Sequence, residues 1–108
     1  MNDPVKEINN LNRVIHEPAR LMIMSILSAV ESADFLYLLN ATGLTKGNLS
    51  SHLSKLEKEA YLTIEKGFEG KTTRTSCAIT ELGQEAFDQY RIRMRAAMEV
   101  GRNGGEAG

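Results

Sequence analysis

The 108-residue chain has one cysteine, Cys77, two histidines, His16 and His52, two prolines and no tryptophan. A lone thiol cannot close an internal disulfide, which suits a reducing compartment and leaves the fold to packing. Two histidines and one cysteine this scattered match no metal-ligand spacing, so neither a metal nor another cofactor is expected. No run approaches the roughly 18 apolar residues of a membrane span. The opening MNDPVKEINN has no signal-peptide core, so a cytoplasmic location without membrane contact is the expectation. Recognisable catalytic frames are missing too: serines and acids occur, but not as a nucleophile with its base, a carboxylate pair or a glycine-rich phosphate loop. The chain is not expected to be an enzyme.

What remains is ordinary globular composition, 42% hydrophobic and 25% charged. That is enough for one domain over residues 1–100, followed by a glycine-rich tail, 101–108, expected to be disordered. The net charge of −1 speaks against a strongly basic nucleic-acid binder. Its distribution is less even. Residues 1–44 hold three basic and five acidic residues, 45–75 six and four, and 76–108 four and five. The positive excess therefore lies mid-chain.

That middle stretch, Thr45 to Leu62, reads TKGNLSSHLSKLEKEAYL. Thr45 is a good N-cap, and Leu49, Leu53 and Leu56 then recur at helical spacing, so Lys46 to Glu59 is predicted to be one amphipathic helix. Its opposite side carries Gly47, Ser51, Ser54, Lys55 and Lys58, with Asn48 and Ser50 at the margins. A helix that merely faced water would favour long Glu and Lys side chains, because serine is a poorer helix former. Small hydroxyls and cations suit a backbone that comes close to something, and a DNA major groove is such a surface. Just upstream, Asp34 can cap a helix through Phe35, Leu36, Leu38 and Leu39, and Gly43 can take the positive φ that ends it. Helix, short turn, helix is a helix-turn-helix pattern, with Leu44 in the corner. Two helices of any small bundle could share these features.

Elsewhere, Val5, Ile8, Leu11, Val14 and Ile15 fit an amphipathic N-terminal helix ending near His16, and Pro18 breaks and restarts it. Ala19 to Val30 is apolar nearly all round and is expected to be buried on most sides. Ser32-Ala33 is too short for more than an edge strand or linker. Tyr61 to Lys66 and Thr73 to Thr80 are β-prone and flank GFEGKT, which reads as a hairpin ringed by Lys66, Lys71 and Arg74. A cationic side chain there could reach a minor groove or a phosphate. Thr80 can cap a last helix from Glu81 to about Val100, longer than so small a domain needs for its own core. The fold class expected is mainly α with a small β-hairpin. Cys77, in a strand of that hairpin, reads as a small apolar filler, with a redox sensor as the alternative. His52, beside the leucine stripe, could donate to a phosphate or pack as a partly buried ring.

Taken in order, HEPARLMIMSIL, TGLTKGNLSSHLSKLEKEAYL and KGFEGKTTRTSCAITELGQEAF resemble the small winged-helix transcriptional regulators of bacteria and archaea, in the MarR-like and ArsR-like groups, over about residues 12 to 95. The resemblance implies a winged helix-turn-helix with a long terminal helix and a homodimer that binds double-stranded DNA. By position it implies contacts from Thr45, Lys46, Gly47, Asn48, Ser50, Ser51, Ser54 and Lys55 on the recognition helix, and from Lys71 and Arg74 on the wing. The N- and C-terminal helices would then form the dimer interface through Ile8, Leu11, Ile15, Phe87, Tyr90, Met94 and Met98. The chain departs from the family pattern in three ways. Ala60 stands where glycine is usual, no arginine follows Ser50 in the recognition helix, and the cysteine and histidine clusters of metal-sensing members are missing. A competing class is a winged-helix protein-interaction module, which should expose an apolar patch over 45–75. A third reading places a small-molecule effector between the long terminal helices and the core, changing the spacing of the two recognition helices.

Overall fold

A computed structural model describes residues 11–104. Residues 12–17 form a capped turn where a helix was expected: the Asn12 side-chain oxygen accepts from the amides of Val14 and Ile15, at 2.9 and 3.1 Å. An asparagine that captures its neighbours' amides competes with the helical ladder. Residues 1–10 of the expected N-terminal helix lie outside the described residues. Helix α1, Pro18–Ser28, opens on Glu17, whose carboxylate accepts from Ala19 and Arg20 at 2.9 and 3.0 Å. Pro18 suits the first helical position because it has no amide to leave unsatisfied. The helix is less enclosed than its composition suggests. Ala19, Ile23, Met24 and Leu27 are buried, while Met22 and Val30 just past its end are exposed.

Strand β1, Ala33–Asp34, pairs with the later strand β3 through Ala33↔Cys77 and Asp34↔Ser76. The hairpin thereby becomes a three-stranded antiparallel sheet of order β1-β3-β2. Asp34 then caps α2, Phe35–Thr42, by accepting from the Tyr37 amide at 2.7 Å, and Gly43 closes that helix at φ 71°. Thr45 caps α3, Lys46–Lys58, accepting from the Asn48 amide at 3.2 Å. β2, Leu62–Glu69, and β3, Thr72–Ile79, are joined by a tight turn with Gly70 at φ 66°. Last comes α4, Glu81–Gly104, whose first turn is capped by Thr80. Its 24 residues make a rod of about 36 Å. Residues 101–104, expected to be disordered, continue this helix, and 105–108 lie outside the described residues.

One core joins these pieces. Ile15, Ile23, Met24, Leu27 and Leu38 meet Leu49 and Leu56 of α3, Leu62 and Cys77 of the sheet, and Phe87 and Tyr90 of α4. Cys77 is 1% exposed. Loss of water around its sulfur, then the charge of Glu57, pushes its thiol up to about 11. A buried thiol that stays protonated is a poor nucleophile, so the filler role stands. The expected result is that a disulfide reagent at pH 8 leaves Cys77 unlabelled in the folded protein and labels it once the chain is unfolded in urea. Prompt labelling of the native state would restore the redox reading.

The end of α3 resolves the question posed by Ala60. Its φ is 63°, and the amides of Ala60 and Tyr61 donate back to the carbonyls of Glu57 and Leu56 at 2.9 and 3.0 Å. This is the two-bond Schellman closure, with alanine at the left-handed position that glycine fills at least cost. Ala60→Gly is expected to raise stability by roughly 1 kcal/mol. In a melting experiment that is a gain of about 4–8 °C, and an unchanged melting temperature would show that the turn is not strained.

Candidate nucleic-acid interface

Leu49, Leu53 and Leu56 of α3 are 0, 2 and 0% exposed. Their burial seats the helix on the core and fixes which side it turns outward. On that outward side Thr45, Lys46, Gly47, Asn48, Ser50, Ser51, Ser54, Lys55 and Lys58 are all exposed. Within 45–75 no large apolar residue of α3 is exposed and Phe68 on the hairpin is, so a single ring stands where an interaction module should expose a patch. Gly47 has open space around it, so its lack of a side chain lets a ligand surface approach the first turn.

His52 faces the other way. Its Nδ1 lies 3.2 Å from the Arg20 guanidinium and 3.4 Å from the Glu17 carboxylate, so it packs against the start of α1 and is not aimed at a phosphate. Burial works against the charge of Glu17. The amides of Ala19 and Arg20, with His52 and the Arg20 guanidinium behind them, outweigh it and hold the carboxyl below its usual value. A cap of α1 is thereby tied to the middle of α3. Nearby, Asn12 donates to the Tyr61 hydroxyl at 2.8 Å, and His16 Nδ1 lies 2.8 Å from the Tyr90 hydroxyl. Residues 12–20 thus touch α3, the root of the hairpin and α4. None of these links was legible, because each joins residues at least 32 positions apart.

A groove between α3 and the hairpin is walled by Ser50, Ser54 and Glu57 on one side and by Ile64, Lys66 and Thr75 on the other, with Phe35 at its end. The hairpin therefore stands beside the outward face of α3. Lys71 sits exposed in its turn. Arg74, expected to face DNA, already has partners within the chain. One arm of its guanidinium meets Asp34 at 2.9 Å and the other meets Glu69, so it straps the edge strand to the hairpin. Both charges of that strap would have to be given up before a phosphate could take their place.

The residues expected at a dimer interface differ widely in burial. Leu11, Ile15, Phe87 and Tyr90 are between 0 and 7% exposed within a single chain, so they have almost no surface left for a partner. Sequence periodicity identified the apolar stripe of α4, but a stripe does not say whose core it enters. Met94 is half-buried, Met98 is exposed, and Ile8 lies outside the described residues. The α4 side chains that do stand out are Leu82, Ile92 and Met98, at 51, 57 and 69%. Sequence reasoning also passed over Phe68, 78% exposed on β2, although an aromatic between two glycines in GFEGKT was a visible signal.

Comparison with known proteins agrees with this geometry. Residues 19–98 match the family model of the winged helix DNA-binding domain. An uncharacterized protein of Methanocaldococcus jannaschii, MJ0432, is 32% identical over 78 residues, covering 72% of this chain and 85% of that protein. The solved transcriptional regulator homologue from Pyrococcus horikoshii OT3 superposes with a TM-score of 0.81 at 29% identity, covering 89% of this chain and 94% of that one. A MarR-family regulator from Enterococcus faecalis V583 shares the fold, with a TM-score of 0.74 at 20% identity and coverage of 98% and 96%. With its helix-turn-helix, its outward polar face and its hairpin in the expected order, the chain belongs to the winged helix DNA-binding domain family, among folds shared with MarR and ArsR regulators.

Proposed function

We propose that the protein is a sequence-specific DNA-binding transcriptional regulator that acts as a homodimer. Each α3 enters a major groove, and each hairpin lies along the neighbouring backbone and minor groove. The observation that carries this reading is the two-sided character of α3: three leucines wholly inside, and every hydroxyl, asparagine and lysine of the opposite side open to contact. Asn48, Ser50 and Ser51 are short enough to reach base edges or phosphates without holding the helix away from the groove floor. Lys46, Lys55 and Lys58 supply the sequence-independent attraction. The exposed apolar side chains of α4 support the pairing of two copies, because a lone 36 Å rod of this length gains little by leaving Leu82, Ile92 and Met98 in water.

A gel-shift titration with the DNA upstream of the protein's own gene tests the reading. The expected result is preference for that fragment over random duplex at moderate salt, with a bound species that contains two chains. Equal affinity for both duplexes, or binding as a single chain, would count against it.

A further inference from the structure

Strand register divides the outer half of the hairpin into two unlike faces. Side chains alternate along each strand. The pairs Gly67↔Arg74 and Glu65↔Ser76 therefore share one face with Glu69 and with Asp34 of the edge strand. On that face the Arg74 guanidinium is held by Asp34 and Glu69. The opposite face carries Lys66↔Thr75 and Phe68↔Thr73. It has no carboxylate of its own; Glu57 at the root of the groove accepts from the Ile64 amide at 3.2 Å, and Glu65, on the other face, borders Lys66 and Phe68 at the strand edge. Lys66 and Thr75 line the same groove as Ser50 and Ser54, so this second face continues the outward surface of α3. Phe68 stands two residues farther out, about 7 Å beyond Lys66, with Lys71 in the turn past it.

We propose that Phe68 is an apolar reader of duplex DNA, pressing into the minor groove beside each major-groove site and partly unstacking a base step there. The idea rests on the DNA-binding reading above and adds to it a residue and a kind of specificity. A single exposed aromatic is ordinary on a protein surface. What distinguishes Phe68 is its setting between Lys66 and Lys71, on a face cleared of acids and continuous with the hydroxyls of α3, which complements a polyanion and not an apolar protein partner. The strap on Arg74 points the same way. With the hairpin's arginine committed to two carboxylates, the large side chains left to its outer half are Lys66, Lys71 and the phenyl ring. An apolar wedge favours steps that unstack easily, so the specificity it adds is for a flexible pyrimidine–purine step at a fixed offset from the sequence read by α3.

The test uses the full chain and the duplexes it selects from a random-sequence pool. Phe68→Ala should leave folding and oligomeric state unchanged. It should weaken binding to a selected duplex roughly tenfold or more, and it should leave the dependence on salt as it was, because no phosphate contact is lost. Selection repeated with the variant should lose the preference at the flanking step and keep the central one. A 2-aminopurine at that step should brighten on binding wild-type protein and not on binding Phe68→Ala. If wild-type protein selects a sequence and the variant matches it in affinity, flanking preference and fluorescence, the wedge is overturned while the regulator reading survives. If the variant instead changes only self-association, Phe68 belongs to a protein contact and the proposal fails. If wild-type protein selects nothing, the underlying reading fails with it.

Discussion

Replacing Ser51 and Lys55 together by glutamate is expected to abolish specific DNA binding while the protein stays folded. The two positions are one helical turn apart on the outward side of α3, and both are exposed. The double substitution makes each subunit three charges more negative at the point where a duplex would be closest. Two contacts are lost, and repulsion from phosphates is added to the loss. A single base or phosphate contact is worth about 1–3 kcal/mol, so the combined deficit should exceed 100-fold in affinity. Stability should change little by comparison. Neither side chain packs against the core, and two glutamates at this spacing repel by only a few tenths of a kcal/mol on a solvated helix. The check is a gel shift beside a circular-dichroism melt. Retained affinity in a variant with a native melt would move the interface off α3.

Gly83→Ala is expected to destabilise the fold severely although it adds a single methyl group. Gly83 lies in the first turn of α4, where the chain docks against Tyr61 just after the left-handed turn at Ala60. A methyl group there would sit 2.0 Å from the Tyr61 carbonyl oxygen and 2.8 Å from its carbon. Neither atom can swing aside, because both are backbone and the same oxygen accepts from the Thr80 amide at 3.0 Å. Relief therefore requires α4 to move away from the sheet, loosening Phe87 and Tyr90 from the core. Overpacking against a side chain commonly costs 1–3 kcal/mol. Against fixed backbone, a loss of about 3 kcal/mol or more is expected. A urea titration reads it directly, and a midpoint within error of wild type would show that the helix has room that this packing does not allow. Ala86, one turn farther along and half-buried, provides a control position for a small-residue exchange.

Arg74 and His52 show where reading the chain stops. Arg74 brings a charge that suits DNA and His52 a ring that could donate to a phosphate, and both lie in the segment with the positive excess. The strap from Arg74 to Asp34 spans 40 positions, and His52 meets Arg20 across 32. Charge type and spacing cannot reveal such pairings, since a cation on a hairpin looks alike whether its partner is water, phosphate or a distant carboxylate. The same limit applies to Phe87 and Tyr90, because the apolar stripe that suggested a second subunit enters the chain's own core.

Local chemistry was enough for the recognition helix, its Thr45 cap, the Asp34 and Gly43 ends of the helix before it, the hairpin and the Thr80 start of the last helix. Each of these is decided by residues within a turn or two of one another, through capping bonds, backbone freedom and apolar period. Only the tertiary structure decided that Ala33 and Asp34 complete a sheet. It also decided that Gly83 must be glycine and which cations remain free for a duplex. Those outcomes depend on atoms brought together from opposite parts of the chain, where contact is governed by shape and by competition for partners.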